Sequence, residues 1–337
     1  MSIHDFSGAT SDSTTDAYTD ARQAEYVAFL HRVPFAIDAL NLGFLTGFRE
    51  DCSYQQRQFL NLDLPVGMLD NDFRNPDLDR YTERVLEHGP DVGIIGDAYD
   101  RAEAQSYVRA VRDLQKRVPD TEFVIVPKCK AALEVIPDDI VVGYSRGYAD
   151  ILAHDFSDPV DWRGRRVHIL GGSPPKQLAV IDQLTQPTLT GDPPADIVGL
   201  DWNGLHRGAQ FGEFWTDNGW DDSGRDADHM TVRATVRHGL GHVRSFWENQ
   251  GVWPEGPTEY TGRTQYQPPT PADLHSSTCV ECEDDVWTGS RDPFVAEYDT
   301  GDVCGYCCYD CYFTHRTQNH LEEVMGEASV YFPPASR

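Results

Sequence analysis

Three apolar runs in this chain end in aspartate: PVGMLD closes on Asp70, DVGIIGD on Asp97 and DIVGLD on Asp201. Carboxylates that converge on one mouth can supply a nucleophile, a general acid/base and a recognition group. An aspartate after a strand is equally a common way to cap the next helix or open a turn. Asp72, close behind Asp70, competes with it for the acid/base part. The run RRVHIL leads into Gly171, Gly172, Ser173 and Pro174. Those glycines let backbone approach a ligand, and the helix start behind them suits a phosphate or a base edge. The stretch GLDWNGLHRGAQFG then gathers Asp201, Trp202, His206 and Arg207. Trp202 offers a face on which a base or sugar can stack.

Six of the eight cysteines fall between Cys279 and Cys311, while Cys52 and Cys129 stand alone. Cys279 and Cys282 form one C-x₂-C pair, and Cys304 and Cys307 form another. This is close to zinc-ribbon or treble-clef spacing, and four thiolates would close a structural zinc site. Cys308 and Cys311 offer a replacement for the second pair. His315 and His320 read as surface residues.

The elements that must position these groups alternate. Strands are expected over 65–70, 91–97, 122–128, 139–145, 165–172 and 196–203. Helices are expected over 24–40, 78–89, 101–118 and 174–185, then over 232–251 and 314–328. Alternating strands and helices imply parallel βαβ units, and six strands over this length suit a (β/α)₈ TIM-type barrel. The strand ends then form the active-site face. No G-x-G-x-x-G follows the first strand and no P-loop occurs, so nucleotide-cofactor readings lack their phosphate cradle. Residues 1–20 read as a flexible tail, 21–253 as the barrel and 254–275 as a linker. Residues 276–337 read as the zinc-binding module with a C-terminal helix, and the acidic 216–230 reads as a loop.

The composition excludes several classes. Asp plus Glu is 55 and Lys plus Arg is 28, giving a net charge of −27 over 337 residues. At 39% hydrophobic the chain can bury a core. It shows no apolar run of the about 18–20 residues that a membrane span needs. No signal-peptide pattern opens it, so a cytoplasmic location is expected. Aspartate outnumbers glutamate 38 to 17, and only four of the 28 basic residues are lysines. An excess of short carboxylates keeps a surface hydrated in high salt, so we read a halophilic protein. In molar salt the Debye length falls to about 3 Å, and net charge no longer argues against a polyanionic partner.

In order and spacing, the motifs resemble those of the tRNA-guanine transglycosylase superfamily. They are most like the branch that places 7-deazaguanines in the DNA of phages and archaeal viruses. PVGMLDNDF resembles that family's Asp-Ser-Gly-Gly motif, which implies that Asp70 is the general acid/base. Asn71 and Asp72 depart from the pattern. DVGIIGD resembles the strand whose aspartate recognises the guanine edge, which points to Asp97. RRVHILGGSP resembles the Gly-rich strand, with Gly171, Gly172 and Pro174 in matching places. GLDWNGLHRGAQFG resembles the segment of the nucleophile, which implies that role for Asp201, with Arg207 nearby. Gly143 is the nearest stand-in for a further Gly-Gly motif. The family's zinc pattern, C-x-C-x₂-C and a later His, differs from the spacing here.

The resemblance implies exchange of guanine for a 7-deazaguanine base in a polynucleotide through a covalent Asp-glycosyl intermediate. DNA is preferred over tRNA, zinc is structural, and a homodimer is allowed. The residues leave two alternatives open. One is another barrel N-glycosidase or sugar hydrolase using the same carboxylates. The other is a non-enzymatic, zinc-dependent nucleic-acid-binding protein.

Overall fold

The computed structural model describes residues 21–147, 149–189, 191–222, 229–255, 264–265, 278–284, 286 and 293–331. Eight strands close a parallel barrel: β1 (Tyr26–Leu30), β2 (Leu45–Arg49), β3 (Met68–Asp70), β4 (Val92–Ala98), β5 (Glu122–Pro127), β6 (Val141–Ser145), β7 (Arg166–Leu170) and β8 (Asp196–Asp201). β8 returns to β1 with Ala28 opposite Asp201. The helices α1 (Phe35–Leu40), α2 (Ser53–Asn61), α3 (Leu78–His88), α4 (Arg101–Arg117), α5 (Lys130–Leu133), α6 (Ala153–Phe156) and α7 (Pro174–Thr185) lie between consecutive strands. The fold is the (β/α)₈ barrel expected from the alternation.

Two strands were not read from the sequence. The stretch 24–40, expected as one helix, divides into β1 and α1 with Pro34 between them. YVAFL is buried on both faces, as parallel barrel strands are, so it carries no alternation to distinguish it from a helix. LTGFR of β2 has only five residues and a glycine.

After β8 come α8 (Leu205–Gln210), a hairpin of β9 (Glu213–Thr216) and β10 (Gly219–Asp222), and the long α9 (His229–Asn249). The loop expected over 216–230 therefore begins as a hairpin. Its two-residue turn is Asp217–Asn218, and Gly219 at φ 106° opens β10 opposite Thr216. α9 packs on β9, α8 and α1. It is tied to α1 by a buried pair in which Arg233 donates to both oxygens of Asp38, at 2.8 and 2.9 Å.

The C-terminal part is a four-stranded sheet in the order β11 (Thr264–Gln265), β14 (Ala328–Tyr331), β12 (Phe294–Tyr298), β13 (Val303–Tyr306). The helix expected over 314–328 is instead α10 (Tyr309–Gln318), then α11 (Leu321–Met325), then β14. The break falls at His320, whose φ of 50° no α-helix continues through. The start of α10 docks on α2: Asn61 donates to the Tyr309 hydroxyl at 2.8 Å, and that hydroxyl donates to the Arg57 carbonyl at 2.8 Å. The expected tail over 1–20 and most of the expected linker over 254–275 lie outside the described residues. Among the described residues no helix is long and apolar enough to cross a membrane.

Two cores organise the barrel. One lies between strands and helices and runs on into the C-terminal sheet. The other fills the barrel interior with Ala28, Met68, Ile94, Val124, Val126 and Val198 among its members. Side chains alternate along a strand, so this inner set tells which neighbours also face inward. Asp70 shares the face of Met68. Asp97 does not share the face of Ile94, and reaches the interior because β4 bulges between Ile94 and Gly96, which brings Asp97 opposite inward-facing Val126. The register shifts again between β7 and β8, from Val167 opposite Ile197 to His168 opposite Gly199. Beyond that shift Asp201 faces inward beside Leu170. A one-residue shift turns the rest of a strand over, and here it delivers two of the three acids to the mouth.

Candidate active site at the barrel mouth and a cysteine cluster

Asp70, Asp97 and Asp201 come together at the carboxyl ends of β3, β4 and β8. None caps the helix that follows. Asp77 caps α3 through the Arg80 N–H, and Asp100 caps α4 through the N–H groups of Ala102 and Glu103. Burial is the main force pushing the Asp70 carboxyl up to about 8, with the charges of Asp201 and Asp97 adding to it. Asp72 has other business. It is buried, lies 3.6 Å from Arg80, and its N–H donates to Glu50 at 3.1 Å. Of the two competing acids, only Asp70 belongs to the mouth.

Asp201 is held from two sides. The Gly171 N–H donates to its Oδ1 at 3.2 Å, and His168 Nε2 lies 3.3 Å from the same oxygen. A carboxylate only accepts, so Nε2 carries the proton in this contact. Nδ1 is then the acceptor, and the Tyr26 hydroxyl donates to it at 2.9 Å. Burial, helped by Glu122 and Asp201, holds the Tyr26 hydroxyl protonated by raising its pKa well above the ordinary value. Gln177 of α7 adds a donor to the Asp201 carbonyl at 2.8 Å. Gly199 makes room for this relay: a Cβ there would sit 2.2 Å from the Tyr26 ring.

Asp97 has a different partner. Lys128, buried just past the end of β5, lies 3.2 Å from Asp97 and donates to the Ser145 hydroxyl at 3.0 Å. Burial raises the Asp97 pKa and the Lys128 charge opposes that shift. The pair presents an acceptor and a strong donor side by side.

The other expected residues fall in four groups. Gly171 and Gly172 have φ of 65° and 82° and pass against Gly147 and Arg146, so the Gly-rich turn is real and lies beside Asp201. Trp202 is half-buried in an aromatic wall, 6.0 Å from Trp215 and 5.7 Å from the half-exposed Trp220, centroid to centroid. Arg207 is exposed on α8. Gly143 lies inside β6, where a Cβ would come within 2.6 Å of Leu170 and 2.7 Å of Val126. Its observed part is to let the barrel interior close beneath the mouth.

Four functional groups were not read from the sequence: Tyr26, Lys128, His168 and His31. Two carried a signal. Lys128 is one of only four lysines and ends an apolar strand, and His168 interrupts the apolar run VHIL. His31 follows β1, and its ring lies 4.5 Å from that of His206 on α8. Burial and His206 push its pKa down to about 3, so it remains neutral.

Away from the mouth, the sulfurs of Cys279, Cys282, Cys307 and Cys311 lie within 4.8 Å of one another and could hold a metal ion. Cys282–Cys307 and Cys307–Cys311 are each 3.5 Å apart. A tetrahedral site with metal–sulfur bonds of about 2.3 Å has edges of about 3.8 Å. The expected ligand Cys304 is not in this group, and Cys311 stands in its place. Cys304 lies in β13 and alternation puts its thiol on the face of Tyr306, opposite that of Cys307. Cys307, just ahead of the Cys308 N-cap, and Cys311 in the first turn of α10 meet instead.

A family model described as "Family of unknown function (DUF6610)" matches residues 39–248. No curated protein matches the sequence. Among solved structures, the X-ray crystal structure of the YdjI aldolase from Escherichia coli K12 is similar over 73% of this chain and 96% of that one, at 11% identity and a TM-score of 0.45.

Proposed function

We propose that this chain, which belongs to the DUF6610 family, is a transglycosylase that exchanges guanine for a 7-deazaguanine base in a polynucleotide, DNA in preference to tRNA. One observation carries the reading: a half-buried acid pushed up to about 8 faces a carboxylate held by two donors, in one barrel mouth. Environments that drive two carboxyls apart separate an acid from a nucleophile.

Asp201 would attack C1′ of the target nucleotide and form a glycosyl-enzyme bond. Asp70, protonated at neutral pH, would give its proton to the leaving base and take one from the incoming base. The His168–Tyr26 relay orients Asp201. Asp97 and Lys128 would read the base edge, acceptor to N–H and donor to carbonyl oxygen. The target must leave the helix stack, and the Trp202–Trp220 wall offers it a stacking surface. Zinc in the cysteine cluster would be structural, since four thiolates leave it no open position.

The test is base exchange on DNA and on tRNA side by side, with labelled guanine and a 7-deazaguanine, in molar salt. Incorporation that fails in Asp201→Ala supports the proposal. Release of free base with no incorporation favours an N-glycosidase on the same carboxylates. Binding without turnover returns the chain to a nucleic-acid-binding protein.

A further inference from the structure

We propose a second metal site, on the outside of the barrel, formed by His238 and His242 of α9 and oriented by Asp217 at the tip of the β9–β10 hairpin. The two histidines are one helical turn apart, and their Nε2 atoms lie 3.2 Å from each other. Two nitrogens each about 2.0–2.1 Å from one ion are about 3.4 Å apart in a tetrahedral site and about 2.9 Å apart at adjacent corners of an octahedron. The observed separation lies between these. On the far side of the His242 ring, Nδ1 is 3.6 Å from the Asp217 carboxylate. That is just beyond hydrogen-bond distance, and closing it by a few tenths of an ångström on metal binding would let the carboxylate accept from Nδ1–H, the contact that fixes a ligating imidazole's tautomer and raises its basicity. Phe214 of β9 packs on the His238 ring with centroids 5.0 Å apart, which limits its rotation.

The ligand class follows from the donors. Two imidazoles and open positions for water suit a borderline divalent ion such as zinc, nickel or copper(II), and not magnesium or calcium. The consequence follows from the placement. Asp217 belongs to the hairpin that carries Trp215 and Trp220, and Trp220 packs on Trp202 at the mouth. An ion on α9 would fasten the hairpin tip to that helix and hold the aromatic wall in place. This site is independent of the reaction proposed above.

Calorimetric titration of Ni²⁺ into untagged protein, its cysteine cluster first filled with zinc, tests the site. Wild type is expected to take one further equivalent. His238→Ala and His242→Ala should each lose at least about tenfold in affinity, and Asp217→Asn about tenfold through the orienting contact alone. Both histidines are at least partly exposed, so these variants fold, and unchanged thermal unfolding without nickel would verify it. Hydrogen exchange in the hairpin should slow with nickel in wild type and not in the variants. No further equivalent in wild type, or equal binding in His238→Ala, would overturn the site. Binding with unchanged hairpin exchange would overturn the fastening.

Discussion

The barrel mouth and the cysteine cluster solve the placement of reactive groups in opposite ways. The cluster draws its four sulfurs from 33 residues of chain, Cys279 to Cys311, around one strand end and one helix start. The mouth and the relay behind it draw Tyr26, Asp70, Asp97, Lys128, His168 and Asp201 from six strands and their ends across 176 residues. In the cluster the groups are alike and could hold one ion. In the mouth they are unlike, and each has its own partners. The difference teaches that a site of identical ligands can be assembled from one short stretch of chain. A site of divided roles needs a closed fold to bring its environments together.

The sharpest way to break this comparison is at Asp201. Asp201→Ala should reduce base exchange to background while leaving the metal content unchanged, measured by incorporation of labelled base and by elemental analysis. Loss of both together would mean that the mouth and the cluster are not separate. Asp70→Asn should cost about 10²–10⁴-fold in turnover at neutral pH, the range of a lost general acid/base. An activity that survives in Asp70→Asn and falls in Asp72→Asn would transfer the role.

At the cluster the contrast lies between two cysteines three residues outside and four residues inside the shared ligand Cys307. Cys311→Ser should lower metal affinity by more than about 100-fold, beyond the loss of an orienting partner. Cys304→Ser should leave it unchanged. A competition titration with a chromophoric chelator reads both. The reverse ranking would restore the C-x₂-C pairing that the spacing alone implies.

What was legible in the sequence follows the same division. The barrel was readable because βαβ alternation is a periodic signal, and Asp70, Asp97 and Asp201 because each ends an apolar run. β1 escaped because a strand buried on both faces has no period to show. Lys128 and His168 escaped because their meaning depends on partners 31 and 33 residues away, Asp97 and Asp201, across a neighbouring strand. The two register shifts that turn Asp97 and Asp201 inward have no signature beyond a glycine, Gly96 in one and Gly199 in the other. At the cluster the cysteines were plain and their pairing was not, because a strand end, a short link and a helix start share that stretch and only the fold brings particular thiols together. Lys128→Met tests a group of this hidden kind. It should cost about 3 kcal/mol in thermal unfolding, the low end for removing one member of a buried ion pair, because Asp97 can relieve itself by protonating. No loss of stability would mean that Lys128 and Asp97 do not act as a pair.

A pH series separates the two regions by sign. Asp70 titrates near 8 in the fold and near 4 in an unfolded chain. Its protonated form is therefore the one that folding favours. That contribution to stability is complete below about pH 4 and is lost as pH rises toward 8. Asp97, also raised by burial, adds a slope of the same sign over a range starting from the same lower end. The cluster runs the other way. Its thiols must lose their protons to hold a metal, so metal affinity, and the stability that comes with it, rises with pH. Thermal unfolding followed from pH 5 to 8 in metal-free protein should then show a falling slope that Asp70→Asn flattens. The same series with zinc should rise relative to the metal-free one as pH increases, and Asp70→Asn should leave that difference untouched. A slope that Asp70→Asn does not change would mean that the carboxyl is not held protonated by the mouth, and the division of roles between Asp70 and Asp201 would lose its physical basis.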